Sequence, residues 1–354
     1  MTRDDQPHPA SVLTARPRRA RTTPAMRDLM AETDLLPRHL ALPHFVTPGR
    51  GLDTPIASLP GVSRVSVDRL LPQLERQLRA GVRTALLFGV PDDAHKDAAG
   101  SRADDPEGPV PSALRAARAA FGDDLVLITD VCLCAYTDHG HCGLLASPRA
   151  HGAELVVDND RSLARLAAMA SAHAAAGADL VSPSDMMDGR VAALRARLDR
   201  DAHTSVGILS YAVKYASAFY GPFRDAAGSA PTAATSGAGP RAPRDRATYQ
   251  MDARNAREAL REAALDEVEG ADMLMVKPAV AYLDVLARLR PATTLPLVAY
   301  HVSGEYAMLK AAAAAGVLDE GAATRETLLA IRRAGADLIV SYAAVDAAER
   351  GWLT

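Results

Sequence analysis

Lysine, aromatic residues and cysteine are all scarce in this chain of 354 residues. Lys and Arg together number 40, yet only Lys96, Lys214, Lys277 and Lys310 are lysines, and the aromatic fraction is 4%. The net charge of -3 offers no basic surface for nucleic acid. No apolar run reaches the roughly 18 residues of a membrane span, and no signal-peptide core is present at the N-terminus. We therefore expect a cytoplasmic protein with neither a membrane nor a nucleic-acid partner.

The three cysteines fall within one stretch, as Cys132, Cys134 and Cys142. This C-x-C-x7-C spacing is typical of a metal site, because side chains repeat every two residues along a strand and a Gly/His-rich turn can return the third thiol. Three thiolates suit one zinc ion. They leave one coordination position for water or substrate, which favours a catalytic or substrate-binding metal.

Other interpretations of these cysteines remain open. A fourth ligand from Asp138, His139 or His141 would make the zinc site structural. A disulfide with a spare thiol, or three inert buried thiols, are further alternatives. The odd number of cysteines and the lack of a secretory signal weigh against a disulfide.

Short apolar runs alternate with longer Ala/Leu/Arg segments of helical character from about residue 40 onward. Several runs follow a Gly, which is the usual residue just past a helix end. Eight runs that are apolar on both faces predict an α/β fold, a (β/α)8 TIM barrel, with a doubly wound sheet as the alternative. The runs are 40–46, 84–90, 125–133, 178–184, 205–212, 271–277, 296–302 and 336–343.

The polar, Pro-containing N-terminus includes a basic run over 16–21. We interpret residues 1–35 as an arm that is partly disordered. Residues 36–354 then form the barrel.

Polar side chains cluster where the predicted strands end, which is where barrel enzymes place their catalytic groups. Lys214 and Lys277 end two adjacent strands, and neighbouring strands lie roughly 4.8 Å apart, so both amines can enter one cavity. Two ammonium groups in an apolar site lower each other's pKa, and a neutral lysine can form a Schiff base with a ketone. The alternative is two lysines at the barrel rim with their charged ends in water. Lys96 and Lys310 are expected to be structural.

Six sequence blocks resemble the porphobilinogen synthase family, also called the 5-aminolaevulinate dehydratases. The blocks are 58–62, 130–143, 183–190, 214–225, 275–278 and 302–308. The resemblance implies a lyase of the hydro-lyase class. Its reaction is the asymmetric condensation of two 5-aminolaevulinate molecules to porphobilinogen, with loss of two waters, in tetrapyrrole (haem) biosynthesis.

The resemblance also implies roles for single residues. Lys277 matches the lysine that forms a Schiff base with the first, propionate-side substrate, and Lys214 matches the lysine that engages the acetate-side substrate. Cys132, Cys134 and Cys142 match the ligands of the zinc-dependent branch, whereas the other branch has Asp and Ala there and uses magnesium. Asp130 lies nearby as a proton acceptor or orienting group.

The remaining implied site residues hold substrate carboxylates or a second metal. Ser303 and Tyr342 match the group that holds the first carboxylate. Arg224, Arg246 and Gln250 match the group for the second, where the planar fork of Arg suits a carboxylate. Glu262 matches a position where some members bind a regulatory, allosteric magnesium. The family is commonly a homo-octamer of arm-embracing dimers, which makes residues 1–35 a subunit contact.

A flexible lid over the active site is implied around residues 222–248. Its segment 226–240 is longer and richer in Gly, Ala and Ser than is usual for the family, and such a composition is flexible. A zinc-binding barrel that only senses or carries a keto acid is a second hypothesis, but a binder needs no pair of lysines. A zinc-free Schiff-base aldolase is a third, and it leaves three clustered thiols unexplained.

Overall fold

The computed structural model describes residues 15–147, 154–232 and 241–353. The chain divides into two compact units, the first ending at Asp34 and the second beginning at Leu35. In the first unit, helix α1 (Pro24–Leu29) begins where the side chain of Thr23 caps the chain. The remainder of the predicted arm, residues 1–14, lies outside the described residues, and its role as a subunit contact stays a prediction.

Eight parallel strands close into a barrel in the second unit. Each strand pairs with the next along the chain, and the last pairs with the first. This closed sheet confirms the predicted (β/α)8 fold and rules out the doubly wound alternative. The strands are β1 Leu40–Val46, β2 Thr84–Gly89, β3 Val126–Val131, β4 Leu180–Pro183, β5 Gly207–Lys214, β6 Met273–Lys277, β7 Leu297–His301 and β8 Leu338–Ser341.

Helices alternate with the barrel strands. They are α2 Val67–Arg79, α3 Pro109–Phe121, α4 Asn159–Ala175, α5 Arg190–Arg200, α6 Gly221–Ala227, α7 Arg257–Val268, α8 Leu283–Leu289, α9 Ser303–Ala314, α10 Glu320–Arg333 and α11 Ala344–Glu349. Two short antiparallel ribbons complete the unit, one from Asp53–Pro55 and Ser63–Val65 and the other from Leu144–Ala146 and Val156–Asp158. None of the described helices is long and apolar enough to cross a membrane.

Buried apolar side chains form two separate clusters. The larger cluster joins strands to helices. The smaller cluster consists largely of alternate strand residues and contains most of the aromatic rings. Its members include Phe45, Phe88, Tyr211, Met275, Tyr300 and Tyr342. Alternate residues fill the inside of a barrel, so the smaller cluster is the barrel interior.

Strand β5 carries one extra residue where it pairs with β6. Ser210 lies opposite Leu274, whereas Val213 lies opposite Val276. This bulge breaks the two-residue alternation. Ala212 and Val213 consequently both pack in the larger cluster, between the strands and the helices. The strand runs past the apolar stretch 205–212 and ends at Lys214, the residue predicted to end it.

Candidate active site

Lys214 and Lys277 end β5 and β6 and are direct register partners. Both side chains are buried, and each residue is only 4% exposed. The Nζ atoms lie 5.6 Å (Lys214) and 5.0 Å (Lys277) from the centre of one ring, that of Tyr211. Both buried amines therefore face the same aromatic ring.

Aromatic rings surround the Lys277 amine. Its Nζ lies 4.3 Å from the ring centre of Tyr300, 4.9 Å from that of Phe223 and 5.4 Å from that of Tyr220. Burial and the neighbouring Lys214 lower the pKa of Lys277 to about 7. A large share of this amine is thus neutral near neutral pH, which is the state that attacks a carbonyl.

The Lys214 amine is held by a backbone carbonyl at the end of β4, since its Nζ donates a hydrogen bond to the oxygen of Ser184. Asp130 lies close by on β3, and its Oδ1 is buried with no partner among the described residues. Burial raises the pKa of Asp130 to about 6, against the opposing effects of Lys214 and a hydrogen bond with Ser184. Asp130 can therefore both accept and donate a proton near neutral pH.

The three cysteines form a compact thiol cluster: Cys132, Cys134 and Cys142. Their sulfur atoms all lie within 4.8 Å of one another, and all three are buried and free of disulfides. The prediction that strand alternation places Cys132 and Cys134 side by side was wrong, although the predicted clustering of the three thiols was right. Strand β3 ends at Val131 and Cys134 belongs to a 3-10 turn, so a turn, and not strand alternation, brings the first two sulfurs to 3.2 Å.

No histidine or carboxylate of the described residues joins the thiol cluster. The ring of His141 is engaged elsewhere, with Nδ1 3.1 Å from the Tyr249 hydroxyl and Nε2 3.0 Å from the Pro243 carbonyl oxygen. His139 Nδ1 accepts a hydrogen bond from the backbone N–H of His141, and Asp138 is exposed. The geometry favours three thiol ligands over the structural four-ligand site.

The three thiols of the cluster differ in ionisation, since burial raises the pKa of Cys132 well above its usual range. Hydrogen bonds from Cys132 and Cys134, together with the charge of Arg246, hold the pKa of Cys142 well below its usual range. Three buried sulfurs that include a thiolate can together hold a metal ion.

The residues predicted to bind the second carboxylate lie in or beside the segment predicted to form a lid. Arg246 is 4% exposed and donates through Nη2 to the carbonyl oxygens of Gly140, at 2.8 Å, and Ser229, at 2.7 Å. Burial and the charge of Arg246 lower the pKa of Arg224, which is half-buried. Gln250 is 3% exposed, yet neither atom of its amide has a partner among the described residues. A buried amide with both atoms free of protein partners can hydrogen-bond a polar ligand.

Ser303 and Tyr342, the pair predicted for the first carboxylate, both adjoin the aromatic rings around Lys277. Ser303 Oγ accepts a hydrogen bond of 3.0 Å from the backbone N–H of Phe223. The Tyr342 hydroxyl lies 3.1 Å from the hydroxyl of Tyr300. Each predicted residue is thus one hydrogen bond away from a residue whose ring faces Lys277.

Glu262 lies in a different environment. It lines a cavity of about 540 Å³ with Asp188, Asp252, Glu258 and, at one side, Gln250. Burial raises the pKa of Glu262. The described contacts do not join it to the two lysines. Of the predicted lid, residues 233–240 lie outside the described part of the chain.

Sequence reasoning missed the rings that enclose the amines: Tyr211, Tyr220, Phe223 and Tyr300. A signal was present, since Tyr211 and Tyr300 lie within β5 and β7, and Tyr220 and Phe223 lie in the segment after β5, in a chain whose aromatic fraction is 4%. The other two lysines are paired elsewhere, Lys96 with Asp93 at 2.8 Å and Lys310 with Glu320 at 2.6 Å.

Comparison with known proteins places this site in a family. The family model for delta-aminolevulinic acid dehydratase matches residues 14–350. Delta-aminolevulinic acid dehydratase of Mycobacterium tuberculosis is 51% identical over 339 residues, which cover 96% of this chain and 97% of the relative. The enzyme of Streptomyces coelicolor is 49% identical over 334 residues, covering 94% and 96% of the two chains.

A solved structure agrees with these sequence matches. The Toxoplasma gondii delta-aminolevulinic acid dehydratase (porphobilinogen synthase), in complex with its reaction product porphobilinogen, has a TM-score of 0.89 and 44% identity. The match covers 96% of this chain and 92% of that one. This chain therefore belongs to the delta-aminolevulinic acid dehydratase family, which confirms the resemblance, the lyase class and the porphobilinogen synthase activity that its motifs predict.

Proposed function

We propose that Lys277 is the first nucleophile in the condensation of two 5-aminolaevulinate molecules to porphobilinogen, and that Lys214 engages the second molecule. The observation that carries this proposal is the register pairing of the two lysines. Both amines are buried and face the ring of Tyr211, and the pKa of Lys277 falls to about 7.

The chemistry follows from these positions. The neutral amine of Lys277 adds to the ketone of the first substrate, and loss of one water leaves a Schiff base, which acts as an electron sink. The surrounding rings of Tyr300, Phe223 and Tyr220 keep bulk water from the reacting carbon. Asp130, whose pKa is raised to about 6, takes and returns protons during the condensation.

Cys132, Cys134 and Cys142 hold the zinc in this proposal. Held by these three residues, a zinc ion would supply Lewis-acid chemistry toward a substrate oxygen or a bound water. The buried guanidinium of Arg246 offsets part of the negative charge of the thiol cluster.

Two separate groups of residues hold the two substrate carboxylates in this proposal. Ser303 and Tyr342 hold the first, which is supported by their links to the rings around Lys277. Arg224, Arg246 and Gln250 hold the second, and the unpaired amide of Gln250 is the strongest support. We further propose a regulatory magnesium at Glu262, whose cavity also contains Asp188, Asp252 and Glu258.

The chain acts in the cytoplasm as a homo-octamer in this proposal, with residues 1–35 contacting a neighbouring subunit. The family relationship and the basic, Pro-containing sequence of the arm support it. Light scattering on the full chain and on a chain lacking residues 1–35 tests it. A full-length monomer, or an unchanged assembly after truncation, contradicts it.

Borohydride trapping tests the lysine roles. Reduction in the presence of 5-aminolaevulinate should label Lys277, as mapped by peptide mass spectrometry. Lys277→Arg should lose the adduct and the pyrrole product, because Arg keeps its charge and forms no imine. Lys214→Met should still trap the first substrate but make no pyrrole. Lys310→Met is the matched control and should behave as wild type, since Lys310 pairs with Glu320. Labelling of Lys96 or Lys310, or turnover by Lys277→Arg, contradicts the proposal.

A further inference from the structure

The loop between β4 and α5 binds the Lys214 amine, and the backbone of this loop is strained. Its first residue, Ser184, supplies the carbonyl that accepts from Lys214. Two residues later, Met186 has a φ of 68°, a left-handed conformation that costs free energy in a residue with a side chain. Strain of this kind persists only where surrounding contacts enforce it.

Contacts from both sides hold the Met187 peptide that follows. The backbone N–H of Met187 donates to Asp185 Oδ1 at 2.8 Å. Its carbonyl oxygen accepts from Arg190 Nη1 at 3.2 Å. Arg190 is the first residue of α5, so the loop is tied to the helix that follows it.

Arg190 is in turn bound to Asp266 on α7. Nη2 lies 2.6 Å from Oδ2 and Nη1 3.1 Å from Oδ1, and both side chains are 3% exposed. Replacing such a buried pair with apolar residues is often neutral or stabilising, so stability alone does not explain it.

The same guanidinium reaches strand β5. Arg190 Nη2 donates to Ser210 Oγ at 3.1 Å and to the Tyr211 carbonyl oxygen at 3.4 Å. The Ser210 hydroxyl donates to Asp266 Oδ2 at 2.5 Å. Arg190 therefore connects two groups that contact Lys214. One is the loop whose Ser184 carbonyl accepts from Lys214, and the other is Tyr211, whose ring faces both amines.

We propose that the Arg190–Asp266 pair is a positioning clamp, which fixes the Ser184 carbonyl and the Tyr211 ring relative to the Lys214 amine. The clamp touches no reacting atom and acts through these two groups. The inference rests on the proposed role of Lys214 in the condensation.

The clamp is tested with the double variant Arg190→Met/Asp266→Leu, which removes both charges together and avoids leaving either one buried and unpaired. We expect a folded protein whose kcat falls about ten-fold or more with a small change in KM, as for a group that acts on the transition state. Competitive trace acetylation should also change: Lys214 should react faster relative to Lys310, because its amine has lost a fixed acceptor. The four lysines of the chain make this peptide map simple.

Arg190→Lys is the second variant, since it keeps the charge opposite Asp266 but loses the planar fork that reaches Met187, Ser210 and Asp266 together. It should show the same loss of kcat in a folded protein. The matched control is Arg118→Met/Asp179→Leu, which removes an Arg–Asp pair at the opposite, amino end of β4. Its kcat per folded molecule should equal that of wild type.

Two outcomes separate failure of the clamp from failure of the proposed function. If Lys214→Met makes no pyrrole but either Arg190 variant keeps both the wild-type kcat and the wild-type acetylation of Lys214, the clamp is wrong and the lysine mechanism stands. If Lys214→Met makes pyrrole at the wild-type rate, the proposed function of Lys214 is wrong and the clamp falls with it.

Discussion

Lys214 and Lys277 lie side by side at the carboxyl ends of neighbouring strands, and the Nζ atoms of both face the ring of Tyr211. Two full positive charges in this buried space would repel each other. The lower pKa of Lys277 resolves the conflict, because one of the two amines gives up its proton near neutral pH. The same pairing thus makes one of the two buried amines available in its neutral form.

The pH dependence of trapping follows from this pair. The rate of substrate trapping at Lys277 should rise with pH and level off above a midpoint near 7, since only the neutral amine attacks. Lys214→Met removes a neighbouring positive charge and should move the midpoint to higher pH. Single-turnover trapping with cyanoborohydride across a pH series measures both midpoints. Lys310→Met should leave the midpoint unchanged, and an unshifted midpoint in Lys214→Met would contradict the electrostatic account.

Metal removal provides a second prediction. A strong chelator should abolish pyrrole formation, and zinc, but not magnesium, should restore it, because soft thiolates select zinc. Metal analysis of the Cys132→Ala protein should show loss of the zinc that wild type retains through gel filtration. Asp138→Asn is the control and should keep its zinc, since Asp138 is exposed and outside the thiol cluster. Full zinc content in Cys132→Ala would disprove the assignment.

The barrel and its two lysines could be predicted from sequence because apolar runs and strand ends are local signals. The face that Lys214 occupies could not. Leu209 and Tyr211 point into the barrel, so strict alternation would send residue 213 inward and Lys214 outward. The bulge in β5 reverses this, and it depends on pairing with β6.

The thiol cluster also shows what could not be predicted from sequence alone. The spacing of Cys132 and Cys134 predicts that they share a site, but the structure brings them together through a 3-10 turn. Which polar groups lack partners was equally hidden from sequence. Gln250 and Gln77 are both buried glutamines, and only the folded chain distinguishes the unpaired amide from the paired one.

That difference gives a third prediction. Gln250→Leu should raise the free energy of unfolding of the ligand-free protein by about 1 kcal/mol, since it removes an unpaired buried amide. The same change should raise KM, because the amide is proposed to bind a carboxylate. Urea unfolding and steady-state kinetics measure the two effects. A lower stability with normal KM would mean that Gln250 is a packing residue.

Gln77→Leu is the matched control. Its amide donates to the Thr84 carbonyl oxygen at 2.9 Å and its Oε1 lies 2.8 Å from His44 Nε2. Leucine would leave both partners unpaired in the core and should lower the free energy of unfolding by about 1 to 3 kcal/mol. KM should not change, since these residues lie between β1, β2 and α2.

The last prediction concerns Gly304, the second residue of α9. A Cβ at this position would lie 2.5 Å from the Phe219 carbonyl oxygen and 2.8 Å from the Phe219 Cα. Both are backbone atoms, so the turn Ala218–Tyr220 must move away from α9. Ser303 ties the same helix to the N–H of Phe223, whose ring faces Lys277.

Gly304→Ala should therefore lower stability by about 1 to 3 kcal/mol, as overpacking does, and should slow trapping at Lys277 in the molecules that remain folded. Gly221→Ala is the control, because a Cβ there meets nothing within 4 Å. It should retain both the stability and the trapping rate of wild type. Thermal unfolding combined with trapping per folded molecule separates the two effects. If Gly304→Ala traps substrate at the wild-type rate, the packing of α9 against this turn does not position the aromatic rings around Lys277.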